Sequence, residues 1–134
     1  MELKLGHLRQ LGLPSSDLAR SVQFYRDILG LEFIAQYEPP GLAFFRLGQT
    51  RLLLEHSKDA KPSNAVLYFE VSDIHTAYSA LKEKSVEFDS APHLIYRDDS
   101  GTFGPPGGAE WTAFFKDPDG NVLALASRIP APAV

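Results

Sequence analysis

Leu11-Gly12-Leu13-Pro14-Ser15-Ser16-Asp17-Leu18 is answered further along the chain by Leu67-Tyr68-Phe69-Glu70-Val71-Ser72-Asp73-Ile74. Each stretch is a largely apolar run that ends in Ser-Asp or Ser-Ser-Asp and an aliphatic residue. This is the pattern of a strand handing over to a helix, because Ser and Asp side chains accept hydrogen bonds from the free N–H groups of a first helical turn. The echo continues: Glu32-Phe33 matches Glu87-Phe88, Leu42-Ala43-Phe44-Phe45 matches Thr112-Ala113-Phe114-Phe115, and turns follow at Gly48 and Gly120. The expected fold class is therefore α+β, with two tandem βαβββ modules at about residues 5–56 and 65–127 of one domain spanning residues 1–134. Paired scaffolds hold ligands between their halves, so function is sought on the surfaces the two copies would present to each other.

A chain of 134 residues, 44% of them hydrophobic, can build one core and not two independent ones. The net charge of −4, without a basic run, argues against nucleic acid or an anionic membrane as partner. Having no cysteine removes disulfides, thiolate nucleophiles and sulfur-held metals together. No apolar stretch approaches the roughly 20 residues that span a bilayer, and no signal-peptide core is evident. A cytoplasmic location is the expectation.

Residues 3–13 alternate loosely and predict a first strand, which Pro14 should end. Leu18, Val22, Tyr25, Ile28 and Leu29 form one helical stripe, and Gly30 stops the helix. A strand over 31–37, the Pro39-Pro40-Gly41 break and a hairpin around Gly48-Gln49 complete the first copy. Residues 56–64 are polar and read as a linker. In the second copy Ile74, Ala77, Tyr78 and Leu81 make the helical stripe, and 86–88 is the Glu-Phe strand. Residues 91–110, crowded with Gly and Pro, then read as a long insertion of lid or disordered type. Its Arg97-Asp98-Asp99 reads as a solvated loop tip, and Gly104-Pro105-Pro106-Gly107-Gly108 as a hinge, because it lacks the Lys-Ser/Thr of a phosphate loop. The stretch 129–134 reads as a fraying tail.

The segment Ser16 to Tyr25 (Ser-Asp-Leu-x-x-Ser-x-x-Phe-Tyr), the Leu29-Gly30-Leu31-Glu32-Phe33 exit and Ala113-Phe114-Phe115-Lys116-Asp117-Pro118-Asp119-Gly120-Asn121 resemble the vicinal oxygen chelate superfamily. This is the group of glyoxalase I, methylmalonyl-CoA epimerase, extradiol dioxygenases, and fosfomycin and bleomycin resistance proteins. The resemblance covers about residues 5–127. It implies a cupped mixed sheet around a ligand cavity, in a homodimer, and in the family's enzymes a divalent metal that binds two neighbouring substrate oxygens.

Family ligands lie seven residues before the helix-opening Asp and four after the hairpin Gly. Here those positions are Gln10, Val66, Leu52 and Ala124. Three are aliphatic, and one amide oxygen does not hold a hard cation, so no metal or other cofactor is expected. A metal site would have to draw on Gln10, Glu55, His7 or His93, with a slipped register or bulge to bring Glu55 round. His75, early in its helix, is expected to be solvated.

Two functions from different classes follow. One is a metal-free protein that binds a small organic ligand in an aromatic and aliphatic cleft lined by Gln10, Phe44, Leu52, Val66, Tyr68, His93, Trp111, Phe114 and Ala124. The alternative is an enzyme of lyase, isomerase or dioxygenase type, acting through a divalent metal or through Gln10, His93 and Glu110. Each polar candidate also has an ordinary structural reading, as a backbone-bonded amide, a loop histidine or a surface carboxylate.

Overall fold

The computed structural model describes residues 2–133, which form two compact units. One unit holds residues 2–64 together with Asp117–Asn121, and the other holds Ala65–Lys116 with residues 122–133.

The first unit runs β1 (Gln10–Ser15), α1 (Leu18–Gln23), a π-helical turn (Phe24–Ile28), β2 (Glu32–Tyr37), β3 (Leu42–Leu47) and β4 (Thr50–His56). Its sheet has the order β1-β4-β3-β2, with β1 parallel to β4 and the other pairs antiparallel. Asp17 caps α1 by accepting from the Arg20 N–H, and Gly30 at φ 74° ends the helical segment in the left-handed region. Leu18, Val22, Phe24 and Tyr25 are buried, and Tyr25 packs on Phe45. The helix therefore covers the face that carries Ala43, Phe45, Leu52 and Leu54.

Two expectations for this unit need correction. The first strand begins at Gln10 and not near Leu3; residues 2–9 carry no strand, and Leu3, Leu5 and Leu8 are exposed. Their alternation has no partner, because β4 begins at Thr50 and its register with β1 starts at Gln10↔Arg51. Pro14 does not end the strand but lies within it, opposite Glu55. It is tolerated because β1 is an edge strand and the missing N–H faces away from β4.

The second unit runs β5 (Leu67–Glu70), α2 (Ile74–Glu83), β6 (His93–Asp98), β7 (Gly108–Lys116) and β8 (Val122–Ile129), with sheet order β5-β8-β7-β6. Asp73 caps α2 by accepting from the His75 and Thr76 N–H groups. These bonds, the one from Thr76 first, hold its carboxyl below the ordinary range. The helix packs over the Phe115 face through Phe88, which touches both Tyr78 and Phe115.

The expected Glu-Phe strand over 86–88 is reduced to a bridge, Phe88↔Phe115, the counterpart of Phe33↔Phe45 in the first unit. After Asp89 N–H bonds the Phe114 carbonyl the chain leaves the sheet, passes Pro92, and rejoins β7 at His93↔Thr112. The stretch 91–110 is therefore neither a lid nor a disordered insertion. It supplies the edge strand β6, a loop over residues 99–107, and the start of β7. Strand β8 extends to Ile129; residues 130–133 carry no regular structure, and Val134 of the expected tail lies outside the described residues.

Candidate functional site

Each sheet has one face under its helix and one face free of helices. In the first unit, strand alternation and register place Gln10, Gly12 and Pro14 (β1), Arg51, Leu53 and Glu55 (β4), and Leu42, Phe44 and Arg46 (β3) on the helix-free face. Tyr37 meets Phe44 edge to face at 6.0 Å between ring centroids. The side-chain oxygen Oε1 of Gln10 accepts from Nε of Arg51 at 3.0 Å, and Arg46 pairs with Glu32 at 3.0 Å. The surface thus has an aromatic end and a guanidinium end.

In the second unit the helix-free face carries Tyr68, Ala124 and Phe114 across three strands, then Ala126 with Thr112 and His93, and then Arg128 with Glu110 and Tyr96. Phe114 lies 5.9 Å from Tyr68 and 6.3 Å from His93 between ring centroids. Tyr68 is 58% exposed, an aromatic surface left open to solvent. The hydroxyl of Thr112 is buried with no hydrogen-bond partner among the described residues, which costs about 1–3 kcal/mol until something supplies one.

Arg128 closes the far end of this face. It donates to Glu110 at 2.8 Å, to Asp98 at 3.0 Å and to the Pro105 carbonyl at 2.6 Å. A Cβ on Gly108 would come within 2.5 Å of Arg128 Nε and one on Gly104 within 2.9 Å, so these two glycines make a seat for this guanidinium and not a hinge. Asp98 is buried and also accepts from the Thr102 and Phe103 N–H groups. The Phe103 bond, followed by burial opposing it and then by Thr102 and Arg128, leaves its carboxyl below the ordinary range. Asp98 therefore stabilises the loop above the ordinary carboxylate range, and that contribution is lost as the pH falls through its depressed value. Amide protection of Thr102 and Phe103, taken relative to the intrinsic exchange rate at each pH, is expected to fall below about pH 4 and to be lower at pH 6 in Asp98→Ala than in the wild type. Equal protection at pH 3 and pH 6 would contradict this. Tyr96, beside Glu110 and Asp98, has its phenol raised, by loss of solvent first and those two carboxylates next.

Tyr68, His93, Phe114 and Ala124 lie on the same helix-free face, with Glu110 four residues along β7 from Phe114. Val66, just before β5, is 38% exposed. Gln10 and Phe44 share the helix-free face of the first sheet. Leu52 is corrected: it is fully buried under α1, and Leu53 takes the open face. The reason is hairpin length, since Leu47↔Thr50 leaves a two-residue loop while Lys116↔Val122 leaves five residues. Counting four residues from each glycine therefore lands on opposite faces. Trp111 is also corrected. It lies on the helix side, stacked edge to face with His75 at 5.4 Å, so it cannot be a wall of the open face, and His75, though exposed, is a packing partner. Arg51 was missed because it falls outside the expected ligand positions; its signal was register with Gln10.

The donor set does not suit the divalent metal that the superfamily resemblance implies. Leu53, Val66 and Ala124 offer no lone pairs, and the Gln10 oxygen already faces a cation. Glu55 needs no slipped register to share the Gln10 face, yet it pairs with Pro14, four residues along β1 and about 13 Å away. His7 lies in the strandless segment before β1. Among the described residues no three His, Asp, Glu or Cys side chains gather as a metal would require, and no helix is long and apolar enough to cross a membrane.

The profile of the Glyoxalase/Bleomycin resistance protein/Dioxygenase superfamily matches residues 4–125. The uncharacterized protein YraH of Bacillus subtilis is 29% identical over 135 residues, covering 88% of this chain and 95% of that protein. Metallothiol transferase FosB of Staphylococcus haemolyticus is 31% identical over 117 residues, covering 82% and 75%. Among solved structures, a glyoxalase/bleomycin resistance protein/dioxygenase from Nocardioides aligns with TM-score 0.74 at 22% identity, covering 99% of this chain and 91% of that one. Lactoylglutathione lyase from Agrobacterium tumefaciens aligns with TM-score 0.68 at 20% identity, covering 92% and 95%.

Proposed function

The chain belongs to the glyoxalase/bleomycin resistance protein/dioxygenase superfamily, and from that premise we propose that it is a cytoplasmic, homodimeric protein that binds a small organic ligand without a metal. The observation that carries this reading is the state of Gln10. The residue at the family's first metal position offers its single carbonyl to Arg51, and a cation beside it repels a second one. The open faces are aromatic and aliphatic: Phe44, Tyr37 and Leu53 in one unit, Tyr68, Phe114 and Ala124 in the other. His93 and the unpartnered Thr112 hydroxyl would orient a ligand's polar edge on the second face. Exposed Leu94 and Ile95 on the edge strand β6 support assembly with a second copy.

Two measurements test this together. Titration with Ni, Zn, Mn or Fe(II) is expected to leave the thermal midpoint unchanged, and stoichiometric metal after dialysis would overturn the reading. Screened small aromatic compounds are expected to raise the midpoint, with His93→Ala and Phe114→Ala each weakening the best binder about tenfold while the circular dichroism is retained. Full affinity in both variants would place the ligand elsewhere.

A further inference from the structure

On the first unit's helix-free face, Arg46 and Arg51 are direct cross-strand partners. Like charges placed opposite one another in an antiparallel pair are destabilising, so the pairing calls for an anion between or above them. Glu32 answers Arg46 from the neighbouring strand. Among the described residues Arg51 is answered only by an uncharged amide, and through Nε alone, which orients the guanidinium plane while its two outer nitrogens remain available on an exposed surface. Two residue pairs further along the same strands, and on the same face, lies Phe44↔Leu53, about 7 Å away. Gly12 sits beside Leu53 on β1, where even a Cβ would meet nothing closer than the Leu53 carbonyl at 3.9 Å. The face is thus an open apolar floor bordered by an oriented, incompletely neutralised arginine fork.

We propose that this face binds a planar aromatic or unsaturated carboxylate, its ring on Phe44, Leu53 and Gly12 and its two oxygens on the Arg51 fork, with Gln10 as the residue that positions the guanidinium. Planar guanidinium and planar carboxylate match as parallel paired hydrogen bonds, which an isolated ammonium would not provide. This inference rests on the aromatic-ligand reading above and adds the ligand's charge and the residue that reads it.

Benzoate, benzyl alcohol and benzamidine separate the two claims, because they share a ring and differ in charge. Isothermal titration of the full chain at low salt is expected to give benzoate at least about tenfold tighter than benzyl alcohol, with benzamidine weakest. Arg51→Gln should reduce benzoate to the level of benzyl alcohol and leave benzyl alcohol unchanged. Gln10→Leu should weaken benzoate less than Arg51→Gln does, and Gln10→Glu should weaken it at least as much as Gln10→Leu, because a carboxylate there neutralises the fork. Equal binding of benzoate and benzyl alcohol, a preference for benzamidine, or full benzoate affinity in Arg51→Gln overturns the charge assignment while leaving the aromatic face intact. Binding of none of the three at millimolar concentration overturns the aromatic-ligand reading and this inference with it. Arg51 is exposed and Gln10 is half-buried on an edge strand, so the variants are expected to fold, and thermal midpoints check that they do.

Discussion

Asp117→Ala is expected to destabilise the protein by about 4 kcal/mol and lower its thermal midpoint by about 10–15 °C. Oδ2 of Asp117 accepts from the Tyr25 hydroxyl at 2.7 Å and from Nδ2 of Asn121 at 2.8 Å, and Oδ1 accepts from the Asp119 and Asn121 N–H groups at 2.9 Å each. Tyr25 and Asn121 are fully buried, so removing the carboxylate strands several donors where water cannot replace it. Tyr25→Phe removes one donor and leaves the carboxylate three others, and about 1–2 kcal/mol is expected. Burial first, and then the charge and hydrogen bond of Asp117, push the Tyr25 phenol far above its ordinary value. The phenol therefore donates at every working pH, and its contribution is complete below about pH 10 and declines as the pH rises beyond it. The neighbouring Asp119 shows the opposite balance: burial opposes its ionisation, yet bonds from Ser16 and Ser21, with Arg20 nearby, hold its carboxyl below the ordinary range. Urea unfolding of both variants checks the ranking. An Asp117→Ala protein within about 1 kcal/mol of wild type would mean that the cluster is solvated.

The second large effect separates two adjacent leucines. Leu52→Ala is expected to cost about 3 kcal/mol, because the side chain is fully buried beside Phe45 and leaves a cavity that the sheet and α1 cannot close. Leu53→Ala, on the half-open face, is expected to cost about 1 kcal/mol and to weaken binding of an aromatic ligand. The reverse ranking would mean that β4 is in the other register.

The helix caps and stops were legible because their chemistry is local. Asp17, Asp73 and Gly30 each act within one turn of the chain, and each occupies the place its residue type predicts. The duplication likewise displayed the paired βαβββ units, and the Ser16–Tyr25 and Ala113–Asn121 motifs the resemblance to the superfamily. What escaped was what depends on comparing the copies residue by residue. The two-residue and five-residue hairpins put Leu52 and Ala124 on opposite faces, and a single-residue difference in phase moves a side chain from ligand to core. Trp111 was misplaced because an aromatic at a strand start carries no sign of its face. β6 was hidden because Gly and Pro nearby suggested a loop, whereas they serve the Arg128 seat and the detour before His93. Arg51 and Arg128 carry pairings set by strand register, which no short motif displays.

The clasp around Asp117 also bears on how the chain is made. The first unit takes five of its residues from a point well beyond its own sequence, Asp117–Asn121. Domains usually fold from the N-terminus as they emerge, at about 5–20 residues per second. Here Tyr25, Ser16 and Ser21 leave the ribosome without the carboxylates that satisfy them. Roughly 3–11 s separate the end of the N-terminal stretch from the arrival of Asn121 at those synthesis rates. The half of the protein that is translated first is therefore the half that is completed late, and a nascent chain halted before residue 117 would hold its first βαβββ unit unclasped.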